Sequence, residues 1–140
     1  MTIIYRPPLL SSSAAISRLE AIISKVPSSA PYLIAGDFNE DVAHNTPIST
    51  FLGQRLTQLV TQPTTRYASL LDHIYTCNIS CTDTHVTVRD MYFSDHDLAV
   101  YQFPINMMNG HAMRNHTEHY DLLYRCTLII ESLSKCVFPQ

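Results

Sequence analysis

The segment YLIAGDFNED, residues 32–41, decides how this chain folds. Its first four residues form a continuous apolar run between Pro31 and Gly36, which is typical of a strand buried on both faces. Three carboxylates and one amide follow directly. Acids in this place need partners, because an unpaired charge beside a buried strand is costly. The segment therefore predicts an interior strand that carries polar side chains to its carboxyl end.

Further elements are predicted on both sides of this segment. Four more strands are expected, over residues 2–5, 70–76, 84–91 and 98–103. Apolar residues recur at helical spacing from Ile16 to Val26, after serines that suit an N-cap, and a second helix is expected over 47–56. This succession predicts an α+β fold, a partial β-sandwich with flanking helices.

The composition changes after Pro104. Residues 106–119 are rich in Asn, His and Met and follow neither the helical nor the strand period, so a loop is expected there. Residues 120–133 regain a helical spacing of leucines and isoleucines, which predicts a helix. We therefore divide the chain into a folded part over 1–104 and an atypical C-terminal segment over 105–140.

The composition of the 140 residues excludes several classes of protein. A hydrophobic fraction of 46% and a charged fraction of 15% exclude a disordered acidic tail and a basic nucleic-acid arm. Three glycines cannot form a Gly-rich phosphate loop. The apolar runs are too short to span a membrane, and no secretory segment is recognisable. We therefore expect an intracellular protein with reduced thiols.

Half of the acidic residues fall in three short segments beside apolar strands. They are Asp37, Glu40, Asp41, Asp72, Asp95 and Asp97. Carboxylates that converge with an amide and a histidine suit hydrolysis of a phosphodiester, which uses hard oxygen ligands for Mg²⁺, an acid to orient water and a donor for the phosphoryl oxygens. Ordinary turn chemistry is the alternative for each segment alone. Three such segments in order favour a site.

These segments resemble a known family. LIAGDFNED at 33–41, LLDHIYT at 70–76 and YFSDHDLAVYQF at 92–103, with TIIYRPP at 2–8 as a weaker element, resemble the endonuclease/exonuclease/phosphatase superfamily of metal-dependent phosphodiester hydrolases. Within it, the chain is most similar to the apurinic-type endonuclease domains of non-LTR retroelements. The resemblance covers about residues 2–103 and implies the C-terminal half of a four-layer α/β sandwich.

The resemblance implies roles for the residues that match the family's motifs. Asp37 would hold or deprotonate the attacking water, and Asn39 would fix that water and a phosphate oxygen. His96 would face the scissile phosphate while Asp72 holds its tautomer and orientation. Tyr5 would bring its hydroxyl to the phosphate.

Cofactor and substrate follow from the same resemblance. It implies Mg²⁺ or Mn²⁺, weakly held, with Asp95 and Asp37 near the metal, and DNA as the substrate. Arg6 and Arg66, on loops that flank the site, are the best candidates for phosphate contacts, with plain surface charge as the alternative for both. His73, next to Asp72, should point away from the site if this segment is a strand.

The chain departs from the family in its length. The N-terminal half of the family's domain carries the main metal-ligating Glu, and the first Glu here, Glu20, lies on the polar face of a predicted helix. We therefore expect a truncated domain that is weak or inactive alone, in which Glu40 and Asp41 recruit the metal weakly. Its exposed sheet should favour self-association.

Two other functions remain open. The first is a catalytically dead fragment that serves as an interaction module or has no function. The second is a small zinc-stabilised module, because two histidines and two cysteines recur every four residues, at His73, Cys77, Cys81 and His85. The β-prone residues between them argue against a shared helix face. His111, His116 and His119 are better explained as solvated side chains.

Overall fold

A computed structural model describes residues 1–79, 85–105 and 124–130, with the backbone alone for 103–105 and 124–130. The elements follow one another as β1 (Thr2–Tyr5), α1 (Ser12–Ile23), β2 (Tyr32–Asp37), a 3₁₀ turn (Val42–His44), α2 (Pro47–Gly53), β3 (Thr57–Gln58), β4 (Asp72–Cys77), β5 (His85–Arg89), β6 (Leu98–Ile105) and β7 (Tyr124–Ile130). This is an α+β fold, as predicted. None of the helices in these ranges has the length and hydrophobicity needed to cross a bilayer.

The first sheet has the strand order β1-β2-β4-β3. β1 runs parallel to β2 with Tyr5 opposite Asp37, and β4 runs antiparallel to β2 with Asp72 opposite Asp37. The carboxyl ends of β1 and β2 and the amino end of β4 therefore meet at one end of the sheet. They place Tyr5, Asp37 and Asp72 in register across it.

Gly36 is required for this register. Its φ is 148°, and a Cβ built there would lie 1.8 Å from the carbonyl oxygen of Ile4. Only glycine lets the backbones of β1 and β2 approach so closely.

Two helices cover one face of the first sheet. Ser11 caps α1 by accepting a hydrogen bond from the Ala14 amide, and Thr46 caps α2, where Pro47 occupies the first turn. Their apolar faces form one core cluster with the sheet, made of Ala15, Leu19, Tyr32, Ile34, Phe38, Ile48, Leu52, Leu56 and Tyr75.

The second sheet shares a core cluster with the other face of the first sheet. It is antiparallel, with the order β5-β6-β7. The shared cluster consists of Leu33, Ala35, Val60, Leu70, Ile74, Ala99 and Tyr101. Because successive residues of β2 enter the two clusters in turn, β2 is buried on both faces, as its apolar run predicts. The four-layer arrangement stays a prediction.

The C-terminal helix predicted over 120–133 is wrong for the part that is described. Residues 124–130 form β7, which pairs antiparallel with β6, with Cys126 opposite Phe103. Thr127, Ile129 and Ile130 are β-branched and favour a strand, and β6 supplies the partners that a helical spacing cannot reveal. The loop predicted over 106–119 lies outside the described residues. The two-residue strand β3 was also missed, since it is too short to show a period.

Candidate active site

Two buried carboxylates lie at the end of the first sheet where the strand termini meet. Asp37 is the last residue of β2 and Asp72 the first of β4, and their side chains are 5% and 1% exposed. The Asp72 amide donates to Thr64 Oγ1 at 3.0 Å, which fixes the start of β4. Burial raises the pKa of Asp37, and the Asp72 charge adds to the effect, although hydrogen bonds from Asn39 and the nearby His96 oppose it.

Asp72 is hydrogen-bonded to His96, as predicted. His96 Nδ1 lies 2.8 Å from Asp72 Oδ2. The backbone of His96 is held by Ser94, whose Oγ accepts from its amide at 3.1 Å, and by a bridge to Thr65. The hydrogen bond to Asp72 raises the pKa of His96, against the effect of burial, and the charges of Asp37 and Asp95 add to it. His96 Nε2 makes no hydrogen bond to any part of the chain that the structure describes.

Asn39 orients the Asp37 carboxylate. Its backbone amide donates to Asp37 Oδ1 at 2.9 Å, and its side-chain Nδ2 donates to Asp37 Oδ2 at 3.2 Å and to the Arg6 carbonyl at 2.7 Å. The residue adopts a φ of 48°, which Asn tolerates better than most side chains. Both amide hydrogens are therefore used. Oδ1 is left for a ligand, and the expected donation from Asn39 to a phosphate oxygen has no hydrogen to supply it in this geometry.

One oxygen of the Asp72 carboxylate is unsatisfied. Asp72 Oδ1 is buried and has no hydrogen-bond partner among the described residues. A buried acceptor without a donor costs about 1–3 kcal/mol. Such a group in a folded protein asks for an explanation, and a functional site is one.

Tyr5, Asp95 and Arg66 border this pair of carboxylates. Tyr5 ends β1 opposite Asp37 and is 56% exposed. Asp95 directly precedes His96, and its carbonyl accepts from the Arg66 amide at 3.1 Å. Arg66 is exposed, and its Nη2 donates to the Ser94 carbonyl at 2.6 Å. The roles assigned to these three side chains stay predictions.

Arg6 does not face the site, which corrects the expectation of a phosphate contact. It is 8% exposed, and its guanidinium donates to the carbonyls of Leu10, Phe38 and Asn39 at 2.7–3.1 Å. Nη1 also lies 3.5 Å from Glu40 Oε1. Arg6 thus ties the loop after β1 to the loop after β2.

Glu40 belongs to the same structural network and not to a metal site. It accepts from Ser12 Oγ at the start of α1 and from the Ile48 amide at 3.3 Å in α2. Burial acts to raise the pKa of Glu40, but these bonds, one from Thr46 and the Arg6 charge outweigh it and lower the pKa.

Asp41 is also part of the scaffold. Its Oδ1 accepts from the amides of Ala43 and Leu70 at 3.1 and 3.3 Å, and its Oδ2 lies 3.5 Å from His44 Nδ1. These contacts lower the pKa of Asp41 in spite of its desolvation. The expectation that Glu40 and Asp41 recruit the metal is therefore corrected.

His73 points away from the site, as expected for a strand, and has a structural role that the sequence did not reveal. It is fully buried, stacks on Phe38 at 4.6 Å, and donates from Nε2 to the Glu40 carbonyl at 2.8 Å. The Tyr75 hydroxyl lies 3.4 Å from Nδ1. Burial lowers the pKa of His73, so the ring is neutral at physiological pH.

Thr64 is a second residue that sequence reasoning missed. Its hydroxyl accepts from the amides of Leu71 and Asp72 and so holds the entry to β4. Nothing in a polar connector distinguishes this threonine before the fold is known.

The zinc interpretation gains no support. Within the ranges that the structure covers, no group of three or more His, Cys, Asp or Glu residues is arranged to hold a metal ion. Cys77 is a free, half-buried thiol, His85 is exposed, and Cys81 lies outside the described residues.

Comparison with known proteins agrees with the geometry. A family model described as "Endonuclease/Exonuclease/phosphatase family" matches residues 1–96. This range contains β1, β2, β4 and His96, and so all the residues of the candidate site. No curated protein and no solved structure matches the chain significantly.

Proposed function

Because the chain belongs to the endonuclease/exonuclease/phosphatase family, whose members are generally hydrolytic, we propose that its site hydrolyses a phosphodiester bond in DNA. The observation that supports this most strongly is the 2.8 Å hydrogen bond between Asp72 and His96 beside the buried Asp37 carboxylate. A carboxylate, a histidine and a second acid at joined strand ends are the groups that such a reaction requires.

Asp37 and Asn39 form the water-binding part of the proposed site. Each oxygen of Asp37 accepts one hydrogen bond from Asn39, which fixes the plane of the carboxylate. Each oxygen keeps a further lone pair that can accept a proton from the attacking water. Because burial raises the pKa of Asp37, its carboxylate is a better general base than a solvated one. Asn39 Oδ1 can accept a second hydrogen bond from the same water.

His96 and Asp72 form the phosphate-binding part. The Asp72 carboxylate fixes a proton on Nδ1 and raises the pKa of His96, so the imidazolium form is favoured. Nε2–H is then free to donate to a phosphoryl oxygen as negative charge builds there. The contact with Asp72 at 2.8 Å stabilises this cation.

The site offers oxygen donors that suit a divalent cation, but only a few groups would hold the ion. Members of the family are typically dependent on a divalent metal. Mg²⁺ often takes one or two carboxylates and completes its shell with water and substrate phosphate. Asp37, Asn39 Oδ1 and the unsatisfied Asp72 Oδ1 are such hard oxygen donors, and Asp95 directly precedes His96 in the chain. When bound, the ion supplies Lewis-acid stabilisation of the phosphoryl oxygens.

The test is nicking of a supercoiled plasmid by residues 1–140 in Mg²⁺ or Mn²⁺. We expect slow nicking, at least ~10³-fold below that of a complete family enzyme, since several kcal/mol of metal stabilisation depends on few ligands. EDTA, Asp37→Ala and His96→Ala should each abolish it. Asp41→Asn, at a scaffold carboxylate four residues from Asp37, should leave it unchanged, because the amide oxygen can still accept from Ala43 and Leu70. Nicking that persists in both alanine variants would refute the proposed site.

Complete absence of metal-dependent nicking from a folded chain would favour the alternative, an interaction module. The edge strand β1 supports that alternative, because among the described strands it pairs with β2 alone and Ile3 is 58% exposed. A second copy of the chain could pair along this edge. A molecular mass that rises with protein concentration in light scattering would distinguish this function from an inactive monomer.

A further inference from the structure

Two turns beside His96 are joined to each other by hydrogen bonds. Thr64 accepts from the Asp97 amide at 2.8 Å, and Arg66 donates from its amide to Asp95 and from its side chain to Ser94. Each turn is also closed by its own bonds, from Ala68 to Thr65 at 3.0 Å and from Ser94 to Met91 at 3.3 Å. Side chains displayed by these turns are therefore held next to the candidate site.

The joined turns display three aromatic side chains to solvent. Tyr67 is 76% exposed, Tyr92 is 91% exposed and Phe93 is 70% exposed. We call these three side chains the aromatic rim. None of them belongs to either core cluster. Phe93 precedes Asp95 by two residues and Tyr67 follows the Thr65 bridge to His96 by two, so the rim borders the proposed catalytic groups.

The rim is built in a way that stability of the fold does not explain. Tyr92 and Phe93 occupy the two central positions of the turn closed by Met91 and Ser94, where turns normally favour small polar residues. In the other turn, Ala68 adopts a φ of 61°, a conformation that side chains seldom take. Both turns carry a cost, and both present a large π-face beside the site.

The charge of the chain limits what this surface can bind. Its 9 Lys and Arg residues are outnumbered by 12 Asp and Glu residues. Affinity for duplex DNA comes largely from cations that neutralise phosphates, and in this chain the acidic residues outnumber them. Stacking of bases on aromatic side chains needs no such charge, and it requires bases whose faces are not covered by neighbouring pairs.

We propose that the aromatic rim stacks unpaired nucleobases next to the scissile phosphate, so that the substrate is single-stranded or locally unpaired nucleic acid. The inference rests on the proposed function for the identity of the neighbouring site. The Arg66 guanidinium lies between the turns, where it can contact the phosphate that links the stacked bases.

The test measures the binding of oligonucleotides under conditions that prevent their hydrolysis. Fluorescein-labelled oligothymidylate, oligouridylate and a DNA duplex of matched length are titrated with residues 1–140 in EDTA, and anisotropy is recorded. We expect tighter binding of both single strands than of the duplex, with a shallow dependence on salt. Tyr92→Ala and Phe93→Ala should each weaken binding by at least about 5-fold, and Tyr92→Phe should restore it.

Two controls separate this surface from the rest of the molecule. Ile22→Ala removes a partly exposed side chain on α1, which packs on the helix-covered face of the first sheet, and should leave binding unchanged. Arg18→Ala removes an exposed arginine of the same helix and should also change binding little, because stacking and not charge holds the bases.

Equal affinity for duplex, or alanine variants that bind like the parent chain, would overturn the inference. Absence of binding to every oligonucleotide would overturn it as well and would leave the rim as a surface for a protein partner. The proposed hydrolysis is judged separately, by the nicking assay. A preference for oligouridylate over oligothymidylate, or the reverse, would identify which nucleic acid the rim serves.

Discussion

The Arg6–Glu40 ion pair and the Asp72–His96 pair lie at the same end of the first sheet, but they differ in how completely their polar atoms are hydrogen-bonded. Arg6 donates to three backbone carbonyls and contacts Glu40, which in turn accepts from the first turns of two helices. Apart from the bonds from Arg6 to the Leu10 carbonyl, which lie within one loop, each bond of this network joins two loops or a loop and a helix. We call this network of Arg6, Glu40 and their hydrogen-bond partners the structural clasp.

The second pair is incompletely satisfied. Asp72 has one bonded oxygen and one buried oxygen with no partner among the described residues, and a second buried carboxylate, Asp37, lies opposite it across the strands. Two carboxylates share one titratable cation, His96. Burial raises the pKa of Asp37, which shows that its charge is disfavoured where it stands.

The difference teaches how to distinguish a structural charge cluster from a functional one. A structural cluster completes its own hydrogen bonds, whereas a functional one keeps acceptors and an excess of like charge for a ligand to complete. On this criterion Asp37, Asp72 and His96 form the site, and Arg6 and Glu40 hold the loops on which the site depends.

The largest effect is expected from a substitution that breaks the structural clasp. Arg6→Ala leaves Glu40 buried without its cation and removes donors from three carbonyls, so we expect the free energy of unfolding to fall by about 3–5 kcal/mol. Urea denaturation followed by circular dichroism measures this. Arg18→Ala, which removes an exposed arginine of α1, is the matched control and should change it by no more than about 0.5 kcal/mol. Equal effects of the two variants would show that Arg6 is no clasp.

A smaller effect is expected when the functional pair is broken. His96→Ala leaves the 1%-exposed Asp72 carboxylate without a partner, and we expect a loss of about 2–3 kcal/mol, less than the full cost for a buried pair because the His96 side chain is itself 11% exposed.

The double variant Asp72→Asn/His96→Ala sharpens this comparison. It removes the buried charge as well as its partner, so it should be more stable than His96→Ala alone. A double variant that is less stable than His96→Ala would mean that the Asp72 carboxylate is itself stabilising and that the cluster is not strained by like charge.

The sequence predicted most of the fold that positions the site. The apolar run of β2, the helical spacing of α1 and the alternation of β5 carry their own period, and the motif order anticipated the Asp72–His96 hydrogen bond. These features are local, or they repeat a pattern that a family shares.

What the sequence did not predict depends on contacts between distant segments. Arg6 looked like a surface cation because nothing near it in the chain shows that the carbonyls of Phe38 and Asn39 will meet it. β7 was predicted as part of a helix because its partner, β6, is separated from it by many residues. Asn39 was given a phosphate contact because motif matching does not count the hydrogens that its amide has already donated.

The smallest expected effect compares how the two clusters respond to pH. The pKa of His96 is raised from 6.5, so the stability it contributes is fully present below its unfolded pKa and is lost as pH rises through the folded pKa. The pKa of Glu40 is lowered from 4.5, so its contribution is present above that value and is lost as pH falls through the lower folded pKa. We therefore measure unfolding free energies of the parent chain, His96→Gln and Glu40→Gln across the pH range. The difference between parent and His96→Gln should shrink from about pH 6 toward pH 9, where the difference for Glu40→Gln stays constant. Below about pH 4.5 the Glu40→Gln difference should shrink as Glu40 takes up its proton. Parallel profiles for the two variants would show that the functional pair carries its charge like the structural one, and would remove the distinction on which the proposed site depends.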